Sequence, residues 1–450
     1  MGIRSVWPLA VGALLCATQA FAQWVPQWIG VWQYPEPVHS VRARRIRVDA
    51  DGSVFALVDT MHHVQEYATL VRFGRDGDFA WLREARSEPL GIALFDGGGV
   101  AVASRMQVDE YDRSSGKRLR HCEWRGAVSG VDERYETRPL AQSPRGDVLF
   151  AAAAGESIVS GGDFVVLRCD RRGNILPTWH WPFAGYREVT GIVAFSDGGA
   201  SITGAARPDG QAAGAYYTVR FNAEGRVVFV DTEPGDLGSP DGPVRMLADA
   251  EGSLLLVATP ENAAGNLGAL AWKILPDGRR AWTLRIPDGP GSMGTLTVGG
   301  FAVTPEGDVV VAVTNAVAAL RVLRLAGADG RVVWRTELPV KLSVTGFALA
   351  ANGRILVSGI AYRNDGSSTV TYTRLVELGP DGQLLRTQDD GDMPFTSRVA
   401  AGCAGWYVLG SGPYDAATSN DAVLKQYDAG FDGTCPPEAI FADGFDAAVR

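Results

Sequence analysis

Residues 244–287 read VRMLADAEGSLLLVATPENAAGNLGALAWKILPDGRRAWTLRIP. Two apolar runs flank a tight turn at Gly252, and two more flank a second turn at Gly278. Glu-Gly and Asp-Gly pairs supply the positive φ that a tight hairpin needs. Pro276 presets the first dihedral of its turn. The runs, such as Leu254–Ala258, are strand-length and nearly continuous in apolar residues, which fits strands covered on both faces. The stretch therefore predicts two hairpins in one four-stranded sheet.

Variants of it recur outward in both directions. The first kind of turn follows Gly-Ile/Phe-Ala/Val, as in GIALFDGGGVAVAS (Gly91–Ser104), GIVAFSDGGASITG (Gly191–Gly204), GFAVTPEGDVVVAV (Gly300–Val313) and GFALAANGRILVSG (Gly346–Gly359). Its turn glycines are Gly98, Gly198, Gly307 and Gly353, with looser versions at Gly52, Gly146, Gly252 and Gly405. The second kind, as in AWKILPDGRRAW and RVLRLAGADGRVVW, turns at Gly77, Gly116, Gly173, Gly225, Gly278, Gly330, Gly382 and Gly433. Eight turns of each kind alternate strictly, with a period near fifty residues.

A four-stranded sheet cannot bury both faces alone, whereas radial stacking of such sheets buries them and leaves only short edges. The expectation is an all-β chain: a single β-propeller over residues 23–438, with eight four-stranded blades and seven the main alternative. The last unit has a third strand at Ala422–Tyr427, but Thr434-Cys435-Pro436-Pro437 cannot run as an ordinary ladder strand. The segment Trp24–Pro35 resembles the outer strands of other units and is expected to supply the missing strand and close the ring.

Both ends fall outside the repeat. Residues 1–22 read as a signal peptide, with Arg4, an apolar Val6–Ala17 and Ala20-Phe21-Ala22 before the cleavage point. That stretch is too short to span a bilayer, and no other apolar run is long enough, so an exported chain without a transmembrane segment is expected, periplasmic or extracellular. Export permits disulfides. Cys122, Cys169, Cys403 and Cys435 remain, and allow three pairings. Cys403–Cys435 is favoured because both lie beside turns of the last unit; Cys122–Cys169 would then join neighbouring units. Residues 439–450 form a C-terminal tail.

A formal charge of −9 argues against a nucleic-acid partner, which wants a basic face. The one basic cluster, Arg42, Arg44, Arg45 and Arg47, reads as a solvated strand edge, with alternation placing Arg42 and Arg44 opposite Arg45 and Arg47. His39, His62, His63, His121 and His180 lack metal-ligand spacing. Asp49-Ala50-Asp51-Gly52 begins like a calcium loop, but the later bidentate Glu is missing, and a turn is expected. No nucleophile elbow or phosphate loop is visible. No catalytic, metal or cofactor residue is assigned. Gly155–Asp163, Thr232–Gly242 and Ala361–Ser368 break the period and read as the loops where a site would lie.

The repeat as a whole is similar to those of the PQQ-like, delta-60 and NHL group of bacterial propellers, and AIFADGFDAAVR at Ala439–Arg450 resembles a short IFADGFE-like tail of exported bacterial proteins. The most specific resemblance is a tryptophan four residues after the second-kind glycine: Trp81 after Gly77, Trp282 after Gly278 and Trp334 after Gly330. Phe229 supplies an aromatic after Gly225, while Arg120 and Arg386 depart from the pattern. In quinoprotein propellers such tryptophans dock adjacent blades, so the resemblance implies a packing role for these three; burial of a large flat ring between sheets is the physical reason. Quinoprotein dehydrogenases also carry an adjacent Cys-Cys pair, absent here, so no quinone cofactor is expected. The reading is an exported propeller that binds or scaffolds a protein or glycan. The alternative is a propeller hydrolase or lyase acting on an extracellular carbohydrate or lactone-like substrate.

Overall fold

A computed structural model describes residues 25–32, 40–62, 65–85, 89–104, 107–124, 128–129, 139–154, 163–208, 214–234, 244–259, 266–287, 294–314, 319–340, 342–365, 368–391, 393, 397–411 and 422–429. Its strands form an eight-bladed β-propeller, each blade a four-stranded antiparallel sheet. Blade 1 is Ser40–Val48, Val54–His62, Gln65–Phe73 and Phe79–Ala85. Blade 2 is Pro89–Phe95, Gly99–Ser104, Gln107–Asp112 and Arg118–Glu123. Blade 3 has a divided inner strand, Val128–Ser129 and Leu140–Gln142, followed by Val148–Ala154, Asp163–Cys169 and Ile175–Trp181. Blade 4 is Gly185–Ala194, Ala200–Pro208, Ala215–Phe221 and Val227–Pro234; blade 5 is Val244–Ala248, Leu254–Ala258, Ala269–Ile274 and Arg280–Ile286. Blade 6 is Thr297–Val303, Val309–Thr314, Leu320–Leu325 and Val332–Leu338; blade 7 is Ser343–Leu349, Ile355–Asp365, Ser368–Leu378 and Leu384–Asp390.

Blade 8 is built from both ends of the chain. Ser397–Gly402, Gly405–Ser411 and Ala422–Tyr427 are joined by the N-terminal strand Pro26–Trp32, which pairs antiparallel with Ala422–Tyr427. The innermost strand of blade 1 also packs on that of blade 8, so the ring is closed.

The turn chemistry accounts for the regularity. All fifteen described glycines that the repeat places in turns have positive φ, from 65° at Gly116 to 138° at Gly405. In a meander the first–second and third–fourth turns fall on one side of the sheet. One face of the ring is therefore made of tight turns, and the other carries the connections between strands two and three and between blades.

Burial follows position within the blade. Leu254–Ala258, Val309–Thr314 and Gly405–Ser411 are buried throughout, because second strands are sandwiched on both faces. Val227–Pro234 alternates between exposed and half-buried, because an outer strand meets water. The leading glycines of the repeat sit where innermost strands of neighbouring blades meet: a Cβ on Gly300 of blade 6 would overlap Phe347 of blade 7.

Two sequence expectations change. Ala361–Ser368 is not a loop: residues 361–365 and 368 belong to the central hairpin of blade 7, which outruns its neighbours. Ser40–Val48, which carries the basic cluster, is the innermost, edge strand of blade 1, and a bulge between Ala43 and Arg45 breaks the expected simple alternation. Among the described residues no helix is long and apolar enough to cross a membrane.

Candidate functional site

The seams between blades define where the ring is filled and where it is open. Trp81 Nε1 donates to the Arg113 carbonyl of blade 2 at 3.1 Å, and its ring lies against Gly116. Trp282 Nε1 donates to Gly327 O of blade 6 at 3.0 Å, and Trp334 Nε1 to Pro380 O of blade 7 at 3.0 Å. Phe229 lies against Gly278 of blade 5. Trp179 covers Gly225 of blade 4 in the same way, although it stands six residues after Gly173. At five seams, then, an aromatic ring rests on the turn glycine of the next blade.

The seam between blades 2 and 3 is different. Arg120 stands in place of the ring, and its guanidinium is almost fully buried. Its Nη1 donates to the carbonyls of Gly146 and Asp170 in blade 3, each at 3.0 Å, and its Nε donates to Glu110 at 2.7 Å. A buried charge needs such pairing, because desolvation is otherwise prohibitive. Cys122 and Cys169 are joined by a disulfide across the same seam, and both are fully buried. Cys403 is also disulfide-bonded; Cys435, its expected partner, lies outside the described residues.

A cleft of ≈ 340 Å³ opens on the turn face here. It runs from the innermost strands of blades 2 to 5 outward along the seam of blades 2 and 3. Ala93, Leu94, Ala141, Val193 and Phe195 give it apolar walls, and Glu110 and Arg120 line it deeper in. Gln142, Arg171 and Asp96 bring polar groups to its rim. Arg171 lies across the turn at Gly146, where a Cβ would overlap Nε of that arginine.

A second feature lies along the axis. Seven residues before the turn glycine, where four blades carry glycine, blades 1, 5 and 8 carry Arg45, Arg245 and Arg398. Arg245 Nη1 donates to Gly299 O of blade 6 at 3.1 Å. Arg398 Nε donates to Arg44 O of blade 1 at 2.9 Å, and its Nη1 donates to Thr345 O of blade 7. Arg45 Nη1 bonds Arg44 O at 2.8 Å, and Arg44 itself pairs with buried Asp59 at 2.6 Å. These guanidiniums satisfy backbone carbonyls on the free edges of the innermost strands. Among the described residues those strands hold Arg42, Arg44, Arg45, Arg47, Arg187, Arg245 and Arg398 against a single acid, Glu188. The innermost strands are thus richer in cations than in acids, although Arg44 is paired with Asp59 of the second strand.

The remaining candidates do not converge. His121 Nδ1 lies 2.8 Å from Asp109 across one strand pair of blade 2, and His180 pairs with Asp163 at 3.4 Å on blade 3. His39 and His63 lie outside the described residues, as do residues 155–162 and 235–243 of the period-breaking stretches. Asp49 and Ser53 close a backbone turn around Gly52. Among the described residues no group of three or more His, Cys, Asp or Glu is placed to hold a metal.

No family model matches the chain, and no curated protein matches it. Solved structures share the fold. The quinohemoprotein alcohol dehydrogenase ADHIIG from Pseudomonas putida HK5 is 12% identical with a TM-score of 0.50, covering 93% of this chain and 78% of its own. BamB from Moraxella catarrhalis is 14% identical with a TM-score of 0.47, covering 87% and 99%. The WD40 domain of SCAP from fission yeast is 8% identical with a TM-score of 0.44, covering 91% and 99%. At these identities the likeness is one of propeller architecture, a scaffold that hosts unrelated functions.

Proposed function

We propose that the chain is an exported binding and scaffold module that engages a protein or glycan through the face opposite the tight turns. The observation that carries this is the central hairpin of blade 7. Its pairing continues from Ala361–Tyr372 to Asp365–Ser368, beyond the last inner pair at Ser343–Ile360 and the last outer pair at Thr373–Asp390. A two-stranded ribbon therefore stands clear of its own blade. Tyr362 is 52% exposed and Val370 38% exposed on it. A ribbon with two open edges offers backbone donors and acceptors to an added strand, and its aromatic side chain offers contact area. Export is supported by the signal-like residues 1–22 and by the buried Cys122–Cys169 disulfide, which needs an oxidising compartment.

The test replaces residues 362–371 with a two-residue turn, keeping buried Ala361 and its partner Tyr372, and compares cross-linked partners from envelope and supernatant fractions. The shortened ring should keep its melting temperature and lose the partners held by the intact ring. An unchanged set of partners would remove the ribbon from the binding surface.

A further inference from the structure

We infer that the cleft at the seam of blades 2 and 3 is a binding site for a small carboxylate-bearing ligand, with Arg171 and Gln142 receiving the carboxylate. The inference concerns the turn face and stands independently of the ribbon on the opposite face, so either can fail alone.

The cleft is more than a packing gap left by a missing ring. Blade 7 carries the same departure, Arg386, which pairs with Glu377 of its own blade as Arg120 does with Glu110, but there Trp406 of blade 8 fills the seam. At blades 2 and 3 Arg120 satisfies the carbonyls of the neighbouring blade, and a disulfide holds the two blades together, but ≈ 340 Å³ stays open. That is the lower range of volumes that hold small ligands.

The lining states the chemistry. Arg171 and Gln142 have no hydrogen-bond or ion-pair partner among the described residues, and both line the cleft. A guanidinium and an amide are donors suited to a planar carboxylate, the guanidinium in bidentate fashion. Asp96, on the same lining, accepts only, and so favours a ligand with hydroxyls away from its carboxylate. Apolar walls from Ala93, Ala141 and Val193 suit the C–H face of a compact body. A uronic acid meets all of these demands, and a simple dicarboxylate meets the charge alone.

Isothermal titration of the full mature chain with digalacturonate, neutral digalactose and succinate tests the inference. Digalacturonate is expected to bind and digalactose not to. Succinate matching digalacturonate would place the ligand among simple organic acids; weaker succinate binding would place it among sugar acids. Arg171→Glu and Gln142→Glu should each weaken binding about tenfold or more, the scale of one lost charge-assisted hydrogen bond. Arg171 is exposed, so the fold should survive its reversal, and Arg279→Glu on the blade 5 turn should change nothing. Failure of both acids to bind, or binding by Arg171→Glu and Gln142→Glu as tight as that of the unaltered chain, would overturn the assignment.

Discussion

The indole of Trp282 in blade 5 lies flat against Gly330 in blade 6: a Cβ added at Gly330 would come within 2.7 Å of the ring. Gly330 also has φ of 72°. Two penalties therefore fall on Gly330→Ala, the left-handed backbone at about 1–2 kcal/mol and the lost ring contact. Gly307 has φ of 83° but nothing within 4 Å of its Cβ position. We expect Gly307→Ala to cost about 1 kcal/mol and Gly330→Ala clearly more, with Trp282→Ala near 3–5 kcal/mol. Urea unfolding midpoints decide it, and equal costs at the two glycines would mean that ring docking contributes nothing.

Glu377 is fully buried in blade 7, beside Arg354 and 2.8 Å from Arg386 Nε. It also accepts from Trp406 Nε1 of blade 8 at 2.9 Å. Glu377→Gln keeps the shape and the indole bond but removes the buried negative charge that faces both guanidiniums. Breaking a buried pair from one side costs about 3–5 kcal/mol. The low end applies here, because the Arg386 side chain is 26% exposed. A denaturation midpoint within error of wild type would show that the arginines re-pair with solvent.

The fold was legible because its punctuation is chemical. A positive φ at a tight turn selects glycine, so the repeat of Gly52, Gly77, Gly98 and their successors marks strand ends directly. The docking ring of Trp179 was not legible at fixed spacing. In blade 3 the fourth position after Gly173 is Pro177, and the ring is carried two residues further along the outer strand. The ribbon at 361–372 looked like a loop because it breaks the period; its signal was the β-branched run Thr369-Val370-Thr371. The axial arginines were visible in principle, since Arg45, Arg245 and Arg398 occupy the leading-glycine column. The cleft was not, because it arises from how residues about fifty positions apart fail to fill one seam.

Tyr111 and Tyr407 should make the ring sensitive to alkali. Burial is the main cause that pushes both phenols up to about 12, and nearby Asp109 adds to it at Tyr111. The folded values lie above the unfolded value near 10, so this stabilisation is complete below pH 10 and is lost as pH rises towards 12. Phenolate absorbance should show these two tyrosines titrating last, together with unfolding. Tyr111→Phe and Tyr407→Phe should each move the alkaline midpoint upward; an unmoved midpoint in both would assign the transition to other groups.

The Cys122–Cys169 disulfide closes a span of 47 residues. Chain entropy alone predicts about 4 kcal/mol of stabilisation for a loop of that order. The double variant Cys122→Ser/Cys169→Ser should lose that much in guanidinium unfolding. It should also weaken carboxylate binding at the cleft, because the bond holds the two walls in register. Lower stability with unaltered binding would separate the staple from the site.

The last expectation concerns the strand that closes the ring. Pro26–Trp32 contributes one edge of blade 8 and pairs only with Ala422–Tyr427 among the described strands. Gly30 packs against Phe73 of blade 1, where a Cβ would lie 2.9 Å from the ring, so the same strand also bridges the seam of blades 8 and 1. Removing it exposes the edge of Ala422–Tyr427, a strand buried along its whole length. An uncovered, flat apolar edge recruits other chains. Deletion of residues 23–35 should therefore lower the melting temperature and produce concentration-dependent association, read by light scattering. A synthetic peptide of residues 24–35 added in trans should reverse both, since it restores the missing pairing without a covalent link. An unchanged melting temperature after deletion would mean that the ring holds together without this strand.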